Sequence, residues 1–212
     1  MRIARLAAGL VQAALFVMPL LAHDIITTNL TYTRDISRIF ERRCISCHGD
    51  KSSVPLTNYE NARPWAVDIK EQVLSRAMPP WGAVKGFGDL QPDHALTQEE
   101  ILIIAAWVVG GAPKGDPSFL PKPGSIAPMP AMPTIPLRDV LTVTTRAVLN
   151  QKIELAAIKP LGTATVPSAR VIARLPDGRI QPLVWLYHYD PRAGHSFRFR
   201  EQLALPEKTD RK

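Results

Sequence analysis

Eight prolines fall within the 24 residues from Pro113 to Pro136. Proline lacks a backbone N–H and has a fixed φ, so neither a helix interior nor a central strand can run through such a stretch. A chain built around it is expected to fold as two small units joined by a stiff, extended linker, assigned here to residues 118–136. The residue patterns on either side differ in period, placing one unit at 30–117 and the other at 137–206.

Before the prolines the period is helical. Between Thr33 and Cys44, Ile36, Ile39 and Phe40 recur at helical spacing, with Asp35 or Thr33 able to cap. A second helix is expected from near Asn61 through Trp65, Ile69 and Val73 toward Arg76, where Pro79-Pro80 must end it. A third runs from Thr97 to about Val109; Thr97 and Glu100 have capping-box spacing, and Gly110-Gly111 closes it. Beyond the prolines the pattern becomes that of strands. Leu141 to Thr144, Lys152 to Ile158, Ala169 to Leu175, Arg179 to Tyr187 and Ser196 to Leu203 are alternating or rich in β-formers, with a hairpin at Pro176-Asp177-Gly178.

The first residues read as a targeting segment. Arg2 and Arg5 precede an uncharged run from Leu6 to Ala22, which is the arrangement of a secretory signal peptide at 1–22. Ala22 suits the last position before cleavage, whereas Leu20 is bulky, so an uncleaved membrane anchor is the alternative. The chain is therefore expected to be exported, as to a bacterial periplasm. Its net charge of +7 falls to +5 without Arg2 and Arg5. That modest excess fits solubility or docking to an acidic redox partner protein; no basic run with interleaved aromatics points to nucleic acid.

The only two cysteines belong to Cys44-Ile45-Ser46-Cys47-His48. This is the pattern of covalent c-type haem attachment. Two thiols separated by two residues can form thioethers with the two vinyl groups of one porphyrin, and the next histidine then serves as an iron ligand. Competing readings are weaker. A disulfide across so short a loop stabilises little, a thioredoxin-like pair needs a βαβ context, and a zinc site needs ligands that are absent nearby. For the other side of the iron, Met78 stands out because Pro79-Pro80-Trp81 locks the loop behind it. His94 is a rival, and Met129 and Met132 lie in the proline-rich linker. Trp65, Trp81 and Trp107 are expected near the porphyrin or in the core.

Ile36 to His48, followed by Tyr59-Glu60-Asn61-Ala62-Arg63-Pro64-Trp65-Ala66 and Arg76-Ala77-Met78-Pro79-Pro80-Trp81, resembles a class I-like monohaem cytochrome c domain. The resemblance is to a bacterial family in which such a domain is associated with copper type II ascorbate-dependent monooxygenase-like proteins. Leu96 to Pro113, with Trp107 inside, is similar to the closing helix of that domain. The resemblance implies one haem c, His48 and Met78 as axial ligands, and a mainly α cytochrome c domain followed by a small antiparallel, sandwich-like β domain. Leu175 to Gly178, Pro182 to Leu186 and Tyr189 to Pro191 resemble a hairpin of the monooxygenase-like sandwich. The paired histidines and the methionine that hold copper there have no matching positions; only His188 and His195 occur in this half, and they read as a strand end and a turn. The expected function is electron transfer rather than catalysis, with the β domain as a remnant or a partner-docking module with an open edge. The alternatives are an electron-donor subunit of a copper-dependent monooxygenase or oxidase system, and a haem-based redox or gas sensor.

Overall fold

The computed structural model describes residues 29–136 and 138–211. The expected leader at 1–22 lies outside the described residues. The first unit begins with a π-helical turn, Tyr32–Ile36, whose Thr31 side chain caps it, and continues into helix α1, Ser37–Arg43. Helix α2, Tyr59–Ala62, starts on an Asn58 side-chain cap and passes through a 3₁₀ turn, Arg63–Trp65, into α3, Ala66–Leu74. Helix α4, Gln98–Val109, carries the complete capping box, with Thr97 and Glu100 each accepting from the other's backbone N–H. These short helices bury Ile36, Phe40, Val73, Ile101, Ile104 and Trp107 in a first core. The chain after α4 folds back to close it: Tyr32 N–H and Trp107 Nε1–H both donate to the Pro113 carbonyl at 3.0 Å. The indole of Trp107 thereby keeps a partner although it is fully buried.

The second unit has two antiparallel sheets. One has the order β1-β6-β3-β4, from Ala147–Val148, Asp210–Arg211, Val166–Arg174 and Ile180–Tyr189; the other pairs β2, Ile153–Ile158, with β5, Phe197–Leu205. The hairpin at Pro176-Asp177-Gly178 is present, closed by Gly178 N–H to the Leu175 carbonyl. Leu141 to Thr144 forms no strand, and β6, a pair of charged residues, carries no strand signal of its own. A second core lies between the sheets, with Ala173, Leu183, Val184, Leu186, Tyr189, Phe197, Phe199 and Leu205 among its members.

The expectation of a mainly α cytochrome c domain is overturned. The α-helices span only 4 to 12 residues, and among the described residues more lie in strands than in α-helices. The reason sits between α3 and α4. Residues 76–96 contain Pro79, Pro80 and Pro92 together with Gly82, Gly86 and Gly88, a composition that no helix tolerates. This segment instead joins the β layers. Its Trp81, Ala83, Leu90 and Ala95 are buried in the second core, so that core draws on chain from both sides of the prolines. The proline-rich segment holds a 3₁₀ turn, Pro117–Phe119, and a turn closed by Ser125 N–H on the Lys122 carbonyl, and it too is docked. Met129 N–H donates to the Arg42 carbonyl at 2.8 Å, Met132 packs on the second core, and the Pro133 carbonyl accepts from Ser196 N–H at 2.9 Å.

Candidate haem-attachment site

Helix α1 delivers the cysteine pair. Cys44 N–H bonds to the Phe40 carbonyl at 2.8 Å, and the Cys44 carbonyl accepts from both Cys47 N–H (3.0 Å) and His48 N–H (2.8 Å). The helical winding thus continues for one turn past α1, bringing Cys44, Cys47 and His48 onto one turn at relative positions i, i+3 and i+4. The next residues wrap back. His48 Nδ1–H donates to the Val54 carbonyl at 2.8 Å, and Leu56 N–H to the His48 carbonyl at 2.9 Å. A carbonyl only accepts, so the hydrogen is on Nδ1, and in the neutral ring the lone pair is on Nε2. That is the arrangement in which a metal-ligating histidine is held and oriented by a backbone oxygen.

The two thiols differ in setting. Cys47 is exposed, whereas Cys44 is half-buried and packs against the first core. Burial, aided by the Glu100 carboxylate, pushes the Cys44 thiol up to about 12. A redox-exchange cysteine needs the opposite, a thiol lowered toward the thiolate. An uncharged thioether suits this apolar seat. Among the described residues no three His, Cys, Asp or Glu side chains gather as a metal cluster, so the pair has no third ligand of the zinc type.

Met78 lies on a separate segment, beyond α3, and is 39% exposed. It lines a small cavity with Val73, Trp81, Leu96, Ile101 and Tyr187. Val73, Leu96 and Ile101 belong to the first core, on which Cys44 packs, so that core connects the cysteine turn with the methionine. The rivals have other surroundings. His94 is buried in contact with Trp81, with ring centroids 5.1 Å apart. Met129 accepts from Arg43 Nη1 at 3.5 Å through its sulfur. Trp107 fills the first core, Trp81 the second, and Trp65 is exposed.

The loop that carries Met78 is built into both sheets, which no pattern in the sequence announces. Val84 N–H donates to the Trp185 carbonyl and Tyr187 N–H to the Gly82 carbonyl, both at 2.8 Å, so Gly82 to Val84 extend the β4 edge. Gln91 N–H donates to the Arg198 carbonyl and Arg200 N–H to the Asp89 carbonyl, both at 2.9 Å, so Asp89 to Gln91 lie along β5. The outer edges of β4 and β5 are therefore covered from within the chain. His195 stacks on Trp81, 5.1 Å between centroids at 12°, and its Nε2–H donates to the Trp81 carbonyl at 3.0 Å. His188 is exposed and rests edge-on to Tyr187. The two histidines of the second half thus sit in different environments and do not form one site.

Arg43, next to Cys44, forms the most enclosed ion pair described: its Nε donates to Glu100 Oε1 at 3.0 Å, with the two side chains only 11% and 12% exposed. The capping-box residue of α4 is thereby fastened to the end of α1 beside the cysteines. No family model matches this chain, and no curated protein or solved structure matches it either.

Proposed function

We propose that the chain is an exported monohaem electron carrier, holding one haem c through Cys44, Cys47 and His48, with Met78 as the second axial ligand. The observation that carries the reading is the His48 ring: Nδ1–H tied to the Val54 carbonyl at 2.8 Å, Nε2 left with its lone pair, on the same turn as two thiols. Bound there, the haem iron supplies one-electron chemistry between its two oxidation states.

The residues divide the work. Cys44 and Cys47 would hold the haem covalently, each through a thioether to one vinyl group, a thiol addition that would need no oxidant. The Val54 carbonyl fixes the His48 tautomer and raises the basicity of the imidazole. Met78 contributes a soft thioether, which favours the reduced state relative to a second histidine. With His48 and Met78 both holding the iron, the group would have no open site for substrate. This favours electron transfer over catalysis by this chain.

Absorption spectra of the exported protein, oxidised and reduced, test this directly. One covalent haem per chain is expected, with a weak far-red band in the oxidised form that disappears in Met78→Ala. A preparation that retains no haem after denaturation sinks the attachment. A wild-type protein without the far-red band removes Met78 from the iron.

A further inference from the structure

We infer that the β unit serves as the scaffold of the axial-ligand loop, with Trp81 as its positioning residue, so that its packing decides whether Met78 stays on the iron. The inference rests on the proposed role of Met78 and goes beyond it. It gives the second half of the chain a function within the same site.

The argument is one of anchorage. Met78 is half-exposed and follows the end of α3, where its N–H donates to the Gln72 carbonyl at 3.1 Å, and the helical unit otherwise meets it only through the cavity lined by Val73, Leu96 and Ile101. Three residues later Trp81 is 1% exposed and enclosed by His195, Phe197 and His94, with centroids 5.1, 4.8 and 5.1 Å away. His195 and Phe197 belong to the far end of the chain. Beyond Trp81 the loop is held to β4 and then β5 by four backbone hydrogen bonds of 2.8 to 2.9 Å. An Asp89–Arg200 ion pair at 3.1 Å reinforces the β5 contact. A loop of 23 residues between α3 and α4 would otherwise have many conformations available, and the ordering entropy would oppose ligation. Here that ordering is supplied by the sheets, so the thioether is presented in advance. Tyr187 of β4 also lines the cavity that Met78 lines, bringing the β unit to the same cavity. A change that loosens the second core near Trp81 should release Met78 without touching the cysteine turn.

The test compares four variants of the full-length protein. Trp81→Ala empties the anchor, Val84→Pro removes one backbone donor to β4 six residues from the ligand, and Trp81→Phe restores an aromatic anchor. Leu149→Ala weakens the second core at a position whose backbone bonds run to Lys208 and Thr209, away from the loop. The readouts are the far-red band and carbon monoxide binding to the reduced protein. The third readout is hydrogen exchange at the Val84 and Gln91 amides of the haem-free chain, with Gln91 alone read in Val84→Pro. Trp81→Ala and Val84→Pro are expected to lose the band, bind carbon monoxide readily and exchange at least about tenfold faster at the loop. Trp81→Phe and Leu149→Ala are expected to keep the band, even though Leu149→Ala melts earlier. If Trp81→Ala proves too unstable to purify, Val84→Pro decides. A band that persists in Trp81→Ala or Val84→Pro despite faster exchange overturns the scaffold alone. Equal loss in Leu149→Ala also overturns it, since general loosening then suffices. A wild-type protein lacking the band removes the ligand reading and the scaffold together.

Discussion

Substituting Gly88 by alanine probes the join between the two units at its tightest point. Gly88 has φ +81°, and a Cβ added there would stand 2.0 Å from the Leu183 carbonyl oxygen of β4, about 1.4 Å short of ordinary contact. Two residues earlier, Gly86 has φ +80° and open space around its position. The pair therefore separates two costs. Alanine at either site takes on the left-handed backbone, about 1 kcal/mol. Only alanine at 88 must also push the loop off β4. That displacement stretches the Val84–Trp185 and Tyr187–Gly82 backbone bonds, each worth about 1 kcal/mol net. The expectation is about 1 kcal/mol for Gly86→Ala and about 3 kcal/mol for Gly88→Ala. In a chain of this size these convert to melting-temperature losses of about 2–4 °C and about 6–12 °C. Thermal denaturation followed by circular dichroism, with urea titration as a check on cooperativity, measures both. Equal losses in the two variants would refute the claim that the loop lies against the β4 backbone.

Acid should weaken the second core. Burial holds His94 and His195 below the ordinary histidine value of 6.5, with the His195 charge adding to the effect at His94. Both therefore take up protons at a lower pH in the fold than in the unfolded chain, which does so near 6.5. Their contribution is therefore complete above that pH and is lost as pH falls through the lowered folded values. Melting temperatures recorded from pH 7.5 to 5 should fall, with a shallower slope in His94→Gln and His195→Gln; an unchanged slope in both would contradict this origin. Glu100→Ala leaves the Arg43 guanidinium enclosed without its counter-charge and breaks the capping box, so a loss of about 3–5 kcal/mol is expected in urea unfolding. The exposed Lys114–Glu60 pair is the control: Glu60→Ala should leave the unfolding midpoint where it is. A matching loss in both variants would mean that the burial of the Arg43–Glu100 pair confers no advantage.

What the sequence determined by itself was everything set over a few residues. The spacing in Cys44-Ile45-Ser46-Cys47-His48 fixes the candidate attachment turn, because i, i+3 and i+4 residues meet wherever the chain continues a helix. Thr97 and Glu100 marked the start of α4, Gly110-Gly111 its end, and Pro176-Asp177-Gly178 the hairpin, each through local backbone preferences. The strand expected at Leu141 to Thr144 failed because β-propensity has effect only where a partner strand exists. Tertiary structure alone decided the rest. Ala83 meets Leu186 and Leu90 meets Phe199 across more than a hundred residues. Single bridges of that kind leave no period to read. The carbonyl of Val54 that orients His48, the indole of Trp81 between His94 and His195, and the seating of the Met78 loop on two sheets all arise from contacts between segments whose sequences are unremarkable in isolation. The mainly α expectation failed for the same reason: helical signals before the prolines were real, but the 23 residues between α3 and α4 found their partners in strands that the chain makes later.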